Sequence, residues 1–572
     1  MQSFSIVLAQ VNFKVGDIDG NLALISKAVN TAINNAKKQN LENTSLLIVF
    51  SELALIGYPP EDLLLRPSLQ HRIEKALQAL SDISEDTGVG IVVGYPYQKD
   101  GKLFNMAGVW SNGKQVAEYA KRCLPNYQVF DEQRYFTAGD EVCVFDWQGQ
   151  TLGLTVCEDI WHEHPAEETK AAGAQMIINI NASPFHVGKI QQRHELLADH
   201  AKRLALPIVY VNQTGGQDEL VFDGASFVVD SDGELVSSLP EHEEGLLSID
   251  ISCDSTSDTA QIGHPDTAQI GHLVVEKQSV LAAKEELASI YDTLVLGVRD
   301  YIEKNGFKGI VLGLSGGIDS ALTLAIAVDA IGKDRVEAVM MPFKYTSSMS
   351  MEDAKLEADA LGVSYKVLPI EPMYDAFMHT LEDEFAGLGR DTTEENLQAR
   401  CRGVLLMAIS NKKGYMVITT GNKSEMAVGY ATLYGDMVGG YSALKDVYKT
   451  IVFQLSRYRN ELAAQQGEQE IIPERVIIRP PSAELAPDQI DEDSLPPYDI
   501  LDQILEYYIE GDVSVDDIIA KGFDAHDVTR VTRLVDLSEY KRRQAPVGVR
   551  VTSRGFGRDR RYPITNGWKA GS

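Results

Sequence analysis

A chain of 572 residues is too long for one ordinary core, so more than one domain is expected. Hydrophobic residues make up 44% and charged residues 24%, the balance of a water-soluble globular protein. With 52 Lys and Arg against 83 Asp and Glu, the formal net charge of −31 repels nucleic acid and anionic membranes, and neither is expected as a partner. An anionic nucleotide would need Lys and Arg concentrated locally, and the C-terminal region supplies such a cluster. The five cysteines (Cys123, Cys143, Cys157, Cys253, Cys401) are sparse and lack C-x-x-C spacing. That argues against a zinc site or a disulfide framework and fits a reducing compartment. The first ten residues have no basic segment and read as a strand, and no apolar run approaches a bilayer span. A cytoplasmic protein is expected.

In chain order, short β-rich runs at 3–10, 45–50, 91–94, 106–110, 151–156, 176–180 and 208–211 alternate with helical or polar segments. Such alternation indicates an α/β domain. Three of the runs lead into residues with chemical promise: Glu52, Lys121 and Cys157. A free thiol is weakly ionised at neutral pH, so a nucleophilic cysteine needs a base or a nearby cation. Glu52 is suited to take the thiol proton and return it to a leaving amine, and Lys121 to stabilise thiolate and oxyanion. Each residue alone has a plainer reading: a core cysteine, a solvated glutamate, a surface lysine.

The strings around them change that balance. Phe50-Ser-Glu52 with Gly57-Tyr58-Pro59, Lys121-Arg-Cys-Leu-Pro125-Asn-Tyr127, Phe130-Asp-Glu132 and Cys157-Glu-Asp-Ile-Trp161 resemble the carbon–nitrogen hydrolase (nitrilase-like) superfamily. The resemblance covers residues 1–248 and implies an α-β-β-α sandwich. It places a Glu–Lys–Cys triad on Glu52, Lys121 and Cys157, with Glu132 as a second glutamate supporting the lysine. It further implies that Tyr127, Ser183 and Lys189 bind a glutamine substrate.

Residues 249–280 lose periodicity and read as a linker. They carry a tandem duplication, Asp258-Thr-Ala-Gln-Ile-Gly-His264 followed by Asp266-Thr-Ala-Gln-Ile-Gly-His272. Two histidines at that spacing in a polar segment have no recognised metal geometry, so a tolerated duplication is the better reading. A helix is expected over 281–304, with Leu287, Ile290, Leu294, Val298 and Ile302 at helical spacing.

Next comes an apolar strand (309–314), a Ser315-Gly316-Gly317-Ile318-Asp319-Ser320 turn and an apolar helix. Adjacent glycines let backbone approach an anion, and the helix start offers unpaired N–H groups and a favourable dipole. No lysine follows the glycines, so this is not the ordinary kinase-type phosphate loop. The string resembles the pyrophosphate loop of the ATP pyrophosphatases. Further strands at 336–341, 364–370 and 415–420 indicate a doubly wound parallel sheet, with ligands beyond the strands' carboxyl ends. Ser315 and Thr420 are expected to face one crevice.

Together with Asn396-Leu-Gln-Ala-Arg400-Cys-Arg402, Thr420-Gly-Asn-Lys-Ser-Glu425, Tyr434-Gly-Asp436 and Glu539-Tyr-Lys541, the loop resembles the NAD synthetases. With the amidase-like half attached, nearly the whole chain resembles their glutamine-dependent family. The resemblance implies an adenine nucleotide α-hydrolase-like domain over 281–546. Ser315, Gly316, Gly317, Ile318, Asp319, Ser320, Thr420 and Lys449 would contact ATP. Asn396, Arg400, Glu425 and Lys541 would contact nicotinate adenine dinucleotide, and Asp319 and Glu425 would hold Mg²⁺. It implies adenylation of the nicotinate carboxylate, amidation by glutamine-derived ammonia passed through a tunnel, and a homo-oligomer. The basic tail, 547–572, is either a disordered terminus or an arm that orders over bound nucleotide, and the resemblance favours the arm. Rival readings are another glutamine-fuelled ATP-pyrophosphatase ligase, an ammonia-fed synthetase, and an amidase-fold interaction protein with a silent triad.

Overall fold

The computed structural model describes residues 4–39, 45–254, 272–278, 280–482, 484–486 and 495–568. The tandem duplication falls outside the described residues up to its last histidine, whose backbone alone is described. The chain divides into two compact units, Met1–Gln217 with Val221–Lys284, and Asp218–Leu220 with Glu285–Ser572.

The first unit is built on two sheets. One has the strand order His272–Val275, Gly245–Asp254, Phe4–Gln10, Ser45–Val49, Gly90–Lys99, Lys102–Ser111, Lys114–Ala120. The other runs Leu235–Ser238, Phe227–Val229, Ile208–Asn212, Met176–Asn181, Gln150–Val156, Cys143–Trp147. Strand side chains alternate between faces. Phe4, Ile6 and Leu8 from one sheet join Met176, Ile178 and Ile180 from the other in a shared core. Ile177 and Ile208 point the opposite way, into a cluster with Leu197, Ala201 and Leu204 of the helix Lys189–Leu204. Strands covered on both faces are buried along their length, which is why they read as continuous apolar runs. Lys114–Ala120 and Cys143–Trp147, which apolar runs alone did not reveal, belong to tight hairpins. Their turns, Asn112-Gly113 and Gln148-Gly149, hold both residues at positive φ, as two-residue hairpins require.

The second unit carries a wholly parallel sheet ordered Ser364–Val367, Val336–Met340, Gly309–Gly313, Tyr415–Thr419, Tyr441–Ser442, Val547–Gly548. The helix expected at 281–304 spans Glu286–Asn305 and buries Ile290, Leu294, Val298 and Ile302. C-terminal helices form a separate apolar cluster around Leu501, Ile504, Val528 and Val531. The first part of the tail is packed: after its edge strand, Val551 and Thr552 donate backbone N–H groups to Asp446 Oδ2, at 2.8 and 2.7 Å. The buried Arg550 pairs with Asp559 at 2.7 Å.

Candidate active sites

In the first unit, Cys157 stands where the strand Gln150–Val156 turns into a short 3₁₀ helix, with φ at +45°. A left-handed conformation is uncommon for a residue with a side chain and is often found where a site holds the backbone in place. The neighbouring Asp159 supplies much of that restraint. Its Oδ2 accepts from Val156 N (3.0 Å) and Tyr119 OH (2.9 Å), and its Oδ1 from Arg122 N (3.1 Å) and Cys123 N (2.7 Å). One buried carboxylate thus ties the cysteine turn to the segment that follows Lys121.

Lys121 is fully buried and reaches Glu52 Oε1 at 2.7 Å and Glu132 Oε1 at 2.8 Å. Asn105 Nδ2 donates to Glu52 Oε1 at 2.7 Å, and Ala182 N to Glu52 Oε2 at 3.1 Å. Tyr58 OH donates to Glu132 at 2.8 Å. Burial alone would pull the Lys121 ammonium down, but Glu132 and Glu52 outweigh it and hold it well above the usual lysine value. Burial, with the charge of Glu52, pushes the Cys157 thiol well up, and Lys121 opposes them. The resting cysteine is therefore a protonated thiol, and a base must act as it attacks.

The remaining residues named for this site engage different partners. Tyr127 is half exposed and donates to Glu158 Oε2 at 2.9 Å. Ser183 is buried, its Oγ accepting from Arg193 Nη2 at 3.1 Å. Lys189 places its ammonium 3.7 Å from the Trp161 ring centre.

In the second unit a cavity of about 290 Å³ opens at the carboxyl ends of the parallel strands. Ser315, Gly317, Ile318, Asp319, Ser320, Thr420, Glu425 and Lys449 line it, so the expected crevice holds both Ser315 and Thr420. Gly316 has φ +80°, and a Cβ there would lie 2.2 Å from Ser350 O, so only glycine fits. Ser320 Oγ lies 3.0 Å from Ser315 Oγ and accepts from Ser315 N at 3.2 Å, which closes the loop on itself. Lys449 Nζ bridges Asp319 Oδ2 at 2.5 Å and Glu425 Oε1 at 3.2 Å. Asn422 Nδ2 donates to Asp319 Oδ1 at 2.8 Å.

Residues 6–261 match the carbon–nitrogen hydrolase family and residues 290–545 the NAD synthase family. Over 570 residues the chain is 50% identical to the glutamine-dependent NAD(+) synthetase of Acinetobacter baylyi, covering 100% of this chain and 99% of the relative. The chain belongs to the glutamine-dependent NAD(+) synthetases. The relative from Thermotoga maritima is 42% identical over 588 residues, with 100% of each chain covered. The solved enzyme from Acinetobacter baumannii, in complex with adenosine diphosphate, superposes with a TM-score of 0.76 at 47% identity, each chain covered fully. The synthetase of Cytophaga hutchinsonii has the same fold, with a TM-score of 0.79 at 22% identity, 99% of this chain and 98% of that one being covered.

All four residues expected at the dinucleotide engage the protein's own polar groups, Glu425 through Lys449 as described above. Asn396 Oδ1 accepts from Thr432 Oγ1 at 2.8 Å, and Arg400 Nε donates to Leu433 O at 3.2 Å. Lys541 Nζ donates to Gly429 O and Ala431 O, at 2.7 and 2.8 Å. Asn105 and Asp159 escaped the sequence reading for different reasons. Asn105 lies mid-strand and only the fold brings it to Glu52. Asp159 had a local signal, a carboxylate two residues past the cysteine, placed to accept the N–H that precedes the turn. Arg479, which also lines the cavity, had none.

Proposed function

We propose that glutamine is hydrolysed at Cys157 and that nicotinate adenine dinucleotide is activated and amidated at the Ser315–Ser320 loop. The observation that carries the reading is the buried Glu52–Lys121–Glu132 chain beside a cysteine held at a strand-end turn. Glu52 takes the thiol proton as Cys157 Sγ bonds to the side-chain carbonyl carbon of glutamine. The C–N bond then breaks, and the same proton leaves with ammonia. Water, deprotonated by Glu52, releases glutamate from the thioester. Lys121 stays charged throughout and stabilises the negative charge that develops on sulfur and oxygen. Tyr127, Ser183 and Lys189 are the proposed glutamine contacts.

In the second unit the nicotinate carboxylate oxygen bonds to the α-phosphorus of ATP as the bond to the β-bridging oxygen breaks. The electron pair departs with pyrophosphate. Ammonia then attacks the carbonyl carbon and AMP leaves, giving the nicotinamide. The loop's backbone N–H groups, Ser315, Ser320, Thr420 and Lys449 hold the phosphates, and Asn396, Arg400 and Lys541 the dinucleotide. The Acinetobacter baumannii relative's complex with adenosine diphosphate supports a nucleotide in this cavity. Asp319 and Glu425 are two hard oxygen donors flanking a single ammonium, a set with one unbalanced negative charge that fits Mg²⁺. When bound, the ion would neutralise phosphate charge. A homo-oligomer, and a residue division of 1–248, 249–280, 281–546 and 547–572, belong to the same proposal.

NAD⁺ formation from nicotinate adenine dinucleotide and Mg·ATP, with glutamine or ammonium as donor, tests both halves. Cys157→Ala is expected to abolish the glutamine reaction and keep the ammonium reaction. If the glutamine reaction survives, the nucleophile is elsewhere. If neither donor serves the wild type, the acceptor is wrong.

A further inference from the structure

The loop Ser315–Ser320 lacks the lysine that completes most phosphate cradles, and its nearest lysine is already shared. Lys449 is bracketed by Asp319 and Glu425, so much of its charge is spent on carboxylates rather than on a ligand. A nucleotide polyphosphate at this loop needs a further cation. Lining the cavity, the other basic side chains are Arg402 and Arg479. Arg402 is turned to the protein, its Nε donating to Met341 O at 3.0 Å, and burial lowers its pKa.

Arg479 is placed differently. It follows the short helix Glu474–Ile478 and precedes Pro480-Pro481, so its backbone is stiff on the side toward the cavity. Its Nη2 donates to Gly316 O at 2.8 Å and its Nη1 to Ser350 Oγ at 3.0 Å. The first of these bonds fixes the plane of the Gly316–Gly317 peptide. A trans peptide directs C=O and N–H to opposite sides, so pinning the carbonyl to Arg479 turns the Gly317 N–H inward, toward Ser315 Oγ at 3.2 Å. A guanidinium carries five donors in a fixed fork, and these bonds use two.

We infer that Arg479 is a phosphate-binding residue of the ATP half-reaction, contacting the β- and γ-phosphoryl oxygens while holding the glycine loop open for them. When the bond from the α-phosphorus to the bridging oxygen breaks, the electron pair stays on pyrophosphate. A guanidinium beside that group stabilises the charge it gains. The inference rests on the reading of this cavity as the ATP site, and the test separates the two.

Binding of ATP, ADP and AMP, each with Mg²⁺, is measured by calorimetry on the full-length protein and on Arg479→Met, Arg479→Lys and Gly317→Val. In Gly317→Val the added side chain occupies the cradle itself. Arg479→Met is expected to weaken ATP and ADP by about 10- to 100-fold and AMP by less than about two-fold, with Arg479→Lys intermediate. Thermal midpoints of the Arg479 variants should match the wild type. Equal weakening of ATP and AMP, or none of either, overturns the role of Arg479. If Gly317→Val binds ATP as the wild type does, the cavity is not the ATP site and both readings fall. If Gly317→Val loses ATP while Arg479→Met keeps it, only the arginine assignment fails.

Discussion

Glu132 belongs to a buried trio in which one ammonium serves two carboxylates, so the set carries an excess negative charge. Burial pushes Glu132 from 4.5 up to about 7; Lys121 pulls it down and the charge of Glu52 adds to the rise. The folded protein therefore holds a proton between those values that the unfolded chain releases. The resulting stabilisation is complete below about pH 4.5 and is lost as pH rises through about 7. Glu132→Gln is expected to flatten that slope, read as urea midpoints between about pH 5 and 8. In the wild type, glutamine hydrolysis should decline as pH falls through about 7, because a protonated Glu132 no longer pairs fully with Lys121. In Glu132→Gln that inflection should vanish and the rate drop by about ten-fold or more. An unchanged pH profile in the variant would remove Glu132 from the titrating set.

At the scale of elements, Glu52 depends on how closely its segment approaches the strand Gly90–Lys99. Gly94 N donates to Ser51 O at 3.2 Å, and Leu55 N to Gly94 O at 3.2 Å. A Cβ on Gly94 would stand 2.3 Å from Leu53 N and 2.8 Å from the Glu52 backbone, where no side chain can yield. Gly94→Ala should displace the glutamate and cost about 1–3 kcal/mol of stability. It is expected to depress glutamine-driven NAD⁺ formation and leave ammonium-driven formation intact; equal loss with both donors would show a general folding defect instead. This dependence also marks what the sequence could tell. Glu52 and Cys157 were legible because each follows an apolar run within a distinctive string, Lys121 through its string alone, and the Ser315–Ser320 loop because strand, turn and helix follow one another. The partners that hold those residues were not. Asn105, Tyr58 and Arg479 lie 53, 74 and 163 positions from Glu52, Glu132 and Gly316, the groups they bond, and only the fold brings them together. The strand Lys114–Ala120 was missed because its alternation is polar, although the Asn112-Gly113 turn announced a hairpin.

For the whole molecule, a net charge of −31 must be reconciled with the use of an anionic nucleotide. The cavity does not supply a locally positive field: Arg402, Lys449 and Arg479 line it together with Asp319, Glu425, Asp436 and Glu484. Burial raises Asp436 to about 6, so at neutral pH its carboxylate is largely charged, and three basic side chains share the lining with four acidic ones. Under the proposal made above, recognition of phosphate would rest on short contacts with N–H groups, Lys449, Arg479 and a divalent cation, while the distant surface repels. Salt screens the distant repulsion first, because the screening length falls from ~30 Å at ~0.01 M to ~8 Å at ~0.15 M. Added salt is therefore expected to raise kcat/KM for Mg·ATP over that range, the reverse of what a basic nucleotide cleft shows. Glutamine carries no net charge at neutral pH, so its kcat/KM should stay flat over the same titration and serve as the internal control. A fall in the ATP value with salt would mean that attraction near the loop outweighs the surface, and that the carboxylates lining the cavity are neutralised in the working enzyme.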